Sequence, residues 1–228
     1  MIRLFLLLLF LLFSLYGGQD NGKDLNQTQN NMIGTTFIVN PVGRYKTIKN
    51  EHTDNFIKTV FGSDEGKSSL AQKEYIENLG NYAPPAHFAM ATLMVESGKY
   101  SEAIFYYILA SLRTRYDIAR CADNSVGNAP LYAQNERMPN DIRIKLGGEI
   151  SKNKKMYTEI VKQVLKADAD LPYNYDHRWV NKYGLRYTMA GLYGKDDNDP
   201  LTKPESEWSD LRAKVIEGYQ KGIDKSKE

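Results

Sequence analysis

Apolar positions along the chain fall into blocks of different period. After Arg3, Leu4 to Phe13 run apolar without a break, continued by Ser14, Leu15 and Tyr16 and stopped by Gly17-Gly18. A basic start, an apolar core of about a dozen residues and small residues after it form the pattern of a secretory signal peptide. At ~1.5 Å per residue that core reaches about 20 Å, short of the ~30 Å hydrocarbon layer. Residues 1–18 therefore read as a signal peptide, with an uncleaved signal anchor as the alternative. Residues 19–31 hold one strongly apolar side chain, Leu25, among Asn, Gln and Asp, and read as a flexible polar tether. Met32 to Val39 is dense in β-branched and aromatic residues and ends at Asn40-Pro41, which predicts a short extended arm.

Beyond residue 50 the spacing becomes helical. Phe56, Ile57, Val60 and Phe61 share a face, with Thr53 as a cap and Gly62 as the stop. Leu70, Tyr75, Ile76 and Leu79 repeat the pattern before Gly80. Pro84-Pro85 opens Ala86 to Glu96, and Ser97-Gly98-Lys99-Tyr100 turns the chain into Ser101 to Cys121. Proline suits a helix start because its missing N–H would be unpaired there, and Gly98 suits the left-handed end of the first helix. This is an antiparallel helical hairpin. Residues 122–140, broken by Gly127, Pro130 and Pro139, read as an ordered loop with one helical turn. Asp141 to Ala169 reads as a helix that Gly147-Gly148 weakens in its first half, Leu171 to Lys195 as a short-range aromatic segment, and Glu205 to Ile223 as a last helix. The fold class is therefore all-α, a single helical domain over 32–228 with a repeat-like hairpin and a short N-terminal arm.

Composition narrows the function classes. Of 228 residues, 30 are Lys or Arg and 28 Asp or Glu, so the chain without its leader is near neutral and lacks the basic excess of a nucleic-acid binder. The single cysteine, Cys121, closes no intrachain disulfide, so an exported domain must hold by helix packing and keep this thiol buried. Export without disulfide pairs fits a bacterial periplasm, with an extracellular location as the alternative.

Gly98-Lys99-Tyr100-Ser101-Glu102-Ala103, followed by Tyr107 and Ala110, resembles the centre of a tetratricopeptide or Sel1-type repeat over residues 86–110. Ala103 and Ala110 would let the paired helices approach while Tyr100 and Tyr107 fill the space between them. No proline closes the second helix and no second copy follows, so the resemblance implies one repeat-like hairpin and a protein partner rather than a solenoid. The exported helical chain, with its Arg-Tyr-Asp-Ile-Ala-Arg run and its Tyr-Asp-His-Arg-Trp run, also resembles small periplasmic immunity proteins found beside interbacterial toxins.

Candidate chemistry is sparse. His52, His87 and His177 lack a second ligand at metal spacing, and no nucleophile elbow or phosphate-cradling glycine loop is present, so no metal, cofactor or catalytic residue is expected. Cys121 with His177 is the one pairing that could be written as a thiol and its base. Two clusters stand out. Arg113, Asp117 and Arg120 lie at i, i+4 and i+7, placing two guanidinium groups about one carboxylate on a single helix face, either as a salt-bridge network or as a ligand site. Asp176, His177, Arg178 and Trp179 offer an acid, an imidazole, a guanidinium and an indole to a partner. The structural alternative has Trp179 in the core and Arg178 on a helix carbonyl or on Asp117. The leading expectation is an exported protein-binding domain of the immunity type. The alternative, a periplasmic small-ligand binder or hydrolase, requires the two clusters to converge.

Overall fold

Pro84 and Pro85 start the most deeply buried helix of the fold, and its apolar residues face every direction. Such a helix must be enclosed by others. The computed structural model describes residues 39–225. The signal peptide expected at 1–18, the tether expected at 19–31 and the expected extended arm apart from Val39 lie outside the described residues. These form one unit of helices α1 (Glu51–Val60), α2 (Glu65–Glu77), α3 (Pro84–Glu96), α4 (Tyr100–Arg120), α5 (Ala129–Arg137), α6 (Asn140–Lys152), α7 (Lys154–Asp170), α8 (Leu185–Tyr193) and α9 (Trp208–Lys225), with short 3-10 turns between them. Among the described residues no strand occurs, and the one extended pairing is an isolated bridge between Cys121 and Thr202. The domain is all-α.

α4 is the pillar. Its 21 residues span roughly 30 Å at the usual helical rise, and it packs against α3, α5, α6, α7 and α9. Against α3 the contact is close because Ala86, Ala89, Ala103 and Ala110 are all fully buried along it, while Phe88 and Tyr107 meet edge to face. The turn between them is a complete Schellman motif: the Lys99 N–H reaches the Met94 carbonyl (2.8 Å), the Gly98 N–H reaches Val95 (3.0 Å), and Gly98 sits at φ +70°.

Several local expectations change. Thr53 lies inside α1 and uses its hydroxyl to accept the Ala83 N–H, tying α1 to the start of α3. α2 buries only Tyr75, which stacks between Phe56 and Tyr82, while Leu70 and Ile76 face solvent, because α2 rests on α1 at the edge of the bundle. Phe61 is likewise exposed. The expected loop at 122–140 holds a 3-10 turn and α5, with Pro130 inside the first turn where its missing N–H is harmless. The break in the following helix falls at Asn153, whose side chain caps α7 by accepting the Met156 N–H, and Gly147-Gly148 stay helical in α6.

A smaller apolar group, Tyr45, Ile48, Ala190 and Leu201, seals the segment before α1 against α8. Arg44 holds Asp196 through two side-chain bonds and Arg186 holds Asp197 the same way, so this end is laced by ion pairs. Gly98→Ala adds a methyl with open space around it but forces a side chain into the left-handed region. It should lower stability by about 1 kcal/mol in urea unfolding with the helix content unchanged.

Candidate functional site

On the face where α4, the end of α7 and the start of α9 meet, a cavity of about 450 Å³ opens, lined by Tyr116, Arg120, Asp168, Leu171, Tyr173, His177, Trp208 and Arg212. Each side chain gets there by ordinary helical register. Tyr116 and Arg120 are one turn apart near the end of α4, Trp208 and Arg212 one turn apart at the start of α9. Asp168 continues the buried row Ile160, Val164 of α7, so a carboxylate occupies a core position.

The end of α4 fixes this geometry. Its last carbonyls would be unpaired, but the Lys203 ammonium donates to the Ala119 carbonyl (2.7 Å) and the Lys203 N–H to the Arg120 carbonyl (2.8 Å). Lys203 in turn accepts the Trp208 indole N–H at its own carbonyl (3.0 Å). A cap on α4 therefore also places the ring that walls the cavity.

Two buried carboxylates sit beneath the cavity, each with its own partners. Asp117 accepts from Arg120 Nη2 (2.6 Å), from Trp179 Nε1 (2.7 Å) and from the Tyr175 hydroxyl (3.1 Å). Asp168 accepts from Arg113 Nε (2.7 Å), Arg212 Nη2 (2.9 Å) and the Tyr173 hydroxyl (2.8 Å). The two arginines of α4 thus do not share Asp117: Arg113, with a side chain 0% exposed, points across to α7 instead. Its remaining donors reach the carbonyls of Pro172 (3.3 Å) and Leu171 (3.5 Å), just past the end of α7.

Aromatic rings hold the guanidinium groups in place. Arg113 lies 4.2 Å from the Tyr173 ring centroid, and Arg120 lies 4.4 Å from Tyr116 and 5.0 Å from Trp208. His177 packs edge-on against Trp208 at 4.8 Å. Two donors or acceptors remain enclosed without a partner, Arg120 Nε and His177 Nε2. Burial pushes the Asp117 carboxyl up to about 6 against the opposing pull of Arg120, Trp179 and Tyr175. Burial, with Arg120 nearby, pushes the His177 imidazole down to about 4, so it is neutral at neutral pH.

The two sequence clusters therefore converge, though only in part. Arg120 and His177 line the cavity, Asp117 and Arg113 lie under it, and Trp179 is buried with its N–H on Asp117. Asp176 and Arg178 turn elsewhere. Asp176 caps the 3-10 turn His177–Tyr183 by accepting the Arg178 N–H, and it also accepts the Lys49 N–H (2.9 Å). Arg178 forks onto Asp176 and donates to the Thr47 carbonyl (2.8 Å), not to Asp117. These two clamp the segment before α1. Sequence reading passed over Tyr116, Asp168, Tyr173, Trp208 and Arg212. The signal for Asp168 was present, since an acid in the i, i+4 row after Ile160 and Val164 must be paired.

The Cys121 thiol is buried, donates to Asn181 Oδ1 (3.4 Å) and is pushed up to about 11 by burial, so it carries no thiolate for a His177 base to sustain. His87 is buried too, sharing a 2.6 Å hydrogen bond with the Tyr75 hydroxyl. Among the described residues no three His, Cys, Asp or Glu side chains gather as metal ligands.

Removing one side of a buried pair exposes the cost of the other. Asp168→Ala leaves Arg113 enclosed without a counter-charge and should cost roughly 3–5 kcal/mol in urea unfolding. The two titrating groups give opposite pH signatures. His177 is neutral in the fold where the unfolded imidazole is charged, so its contribution is complete above pH 6.5 and is lost as pH falls toward about 4. Asp117 is protonated in the fold where the unfolded carboxyl is ionised, so its contribution is complete below 3.8 and is lost as pH rises through about 6. Stability measured against wild type should therefore improve for His177→Gln as the pH drops from 6.5 to 4 and worsen for Asp117→Asn over the same window, the latter by on the order of 2–3 kcal/mol. Parallel trends in the two variants would contradict the assignment. No family model, no curated protein and no solved structure matches this chain.

Proposed function

We propose that this chain is an exported binding protein whose ligand site is the cavity between α4, α7 and α9. The observation that carries the reading is that Arg120 of the α4 cluster and His177 of the second cluster line one open cavity, the part of the convergence on which the small-ligand alternative rests. About 450 Å³ lies in the range that takes a small organic molecule, and rings with a few fixed polar groups are the usual lining of such sites. Binding is favoured over catalysis because both nearby carboxylates are held by guanidinium groups and the one thiol is engaged away from the cavity. The leader expected at residues 1–18 supports a periplasmic setting.

A protein partner of the immunity type is the second reading. One feature favours it: Leu185, Met189, Leu192 and Tyr193 form an exposed apolar stripe along α8. The cavity is preferred because its lining has polar groups aimed at something, whereas the stripe offers only apolar area.

Ala169 stands exposed on the rim of the cavity, so Ala169→Trp can fill the opening with little cost to the fold. In a thermal-shift screen of chemically mixed small compounds, hits should change Trp208 emission and lose at least tenfold in affinity in this variant. Hits that bind wild type and Ala169→Trp equally, or a screen with none that touch Trp208, would overturn the small-ligand reading.

A further inference from the structure

Charge in and beneath the cavity does not balance. Arg113, Arg120 and Arg212 face Asp117 and Asp168, so three guanidinium groups meet two carboxylates and one positive charge has no counter-charge among the described residues. The neighbouring Asp176 does not supply it, because Arg178 takes both of its oxygens. His177 adds no charge while neutral. Lys203 is spent on the end of α4.

Two of the enclosed polar atoms without a partner, Arg120 Nε and His177 Nε2, belong to residues that line this cavity. Arg120 is 5% exposed, it is seen to donate only through Nη2, and its Nε is enclosed without an acceptor. A buried guanidinium N–H left without a partner costs free energy that a bound acceptor would return. Arg120 cannot swing to find another acceptor, since Tyr116 and Trp208 hold it between them. Arg212 is 31% exposed, lines the cavity, and donates through Nη2 to the Asp168 carboxylate and carbonyl with the Tyr173 hydroxyl also beside it. His177 Nε2 is the second enclosed atom here without a partner, and in its neutral form the imidazole can present an N–H.

Building on the reading of this cavity as a ligand site, we propose that its ligand is a small organic acid, bound through a single carboxylate by Arg120, Arg212 and His177 with its apolar body against Leu171 and the surrounding rings. One carboxylate carries the one negative charge the cluster lacks. Its two oxygens match the planar fork of an arginine, a geometry that makes charge-assisted hydrogen bonds shorter and stronger than neutral ones. A phosphate monoester, which carries nearly two charges at neutral pH, would leave this half-buried site with a net negative charge. A neutral amide would satisfy the donors but not the charge. A cation would meet three guanidinium groups. The arginines are held by rings and carboxylates before any ligand arrives, so little ordering is required on binding.

The full chain without its leader can be titrated calorimetrically with a panel of monocarboxylates of different bodies (acetate, butyrate, benzoate, indole-3-acetate), and with benzamide, benzylamine and phenyl phosphate as matched controls. At least one carboxylate should bind, at least tenfold more tightly than its amide and its phosphate counterpart, and weaken as salt is raised. Arg212→Gln should weaken that carboxylate roughly ten- to a hundredfold and benzamide, which loses a hydrogen bond but no charge pairing, by a smaller factor. This variant keeps Asp168 paired with Arg113 and Tyr173, so folding is retained, and near-ultraviolet circular dichroism checks it. His177→Phe keeps the ring against Trp208 and should weaken the carboxylate several-fold as an independent measure. Benzamide, benzylamine or phenyl phosphate binding as tightly as the carboxylates, and losing affinity in Ala169→Trp, would overturn the carboxylate assignment and leave the ligand site standing. No panel or control compound binding in the cavity would overturn both.

Discussion

Two carboxylates buried under one surface constrain the rest of this molecule. An ionised group cannot stay in a protein interior unless opposite charge and hydrogen bonds replace the water it has lost. Asp117 obtains them from Arg120, Trp179 and Tyr175, and Asp168 from Arg113, Arg212 and Tyr173. These six partners come from α4, α9 and the segment 173–179, so satisfying two side chains pins three parts of the chain that share no sequence proximity. Tyr175, Tyr173 and Tyr116 act here as rings that carry a hydroxyl to a buried acid or stack on an arginine.

The same arrangement explains why a cavity lies over the network rather than a sealed core. Arg120 and Arg212 line the cavity while pairing with the two carboxylates, and Trp208 and Tyr116 stand as walls beside Arg120. The cluster sets three guanidinium groups against two carboxylates. Networks of this kind specify one arrangement because any slip in helix register leaves a buried charge alone.

The helical architecture was legible along the chain to an uneven degree. The hairpin of α3 and α4 could be read residue by residue, since Pro84-Pro85, Gly98 and the alanines each act within a turn or two of their own position. Loop and helix were confused at 129–137, where Pro130 looks like a breaker until it is seen to occupy a first turn, and at α2, whose apolar Leu70 and Ile76 imply a buried face that no neighbour covers. The first is a matter of position within one turn, and the second is a matter of packing. A pattern shows that a face exists but not whether another element reaches it.

By itself the sequence determined the all-α class, the hairpin and its turn, and the fact that Arg113, Asp117, Arg120 and the run Asp176 to Trp179 were chemically unusual. Only the tertiary structure decided their partners. Helical spacing brings Asp117 within reach of both arginines, yet Arg113 spans to Asp168, a residue 55 positions away on α7. Asp176 and Arg178 stand beside His177 in the chain but face the segment before α1, because a tight 3-10 turn sends successive side chains in different directions. Trp208 and Arg212 entered the site with no local mark at all, delivered there by Lys203 capping the end of α4. Charge pairing across a core depends on which helices meet, and that is a property of packing which no single stretch of residues contains.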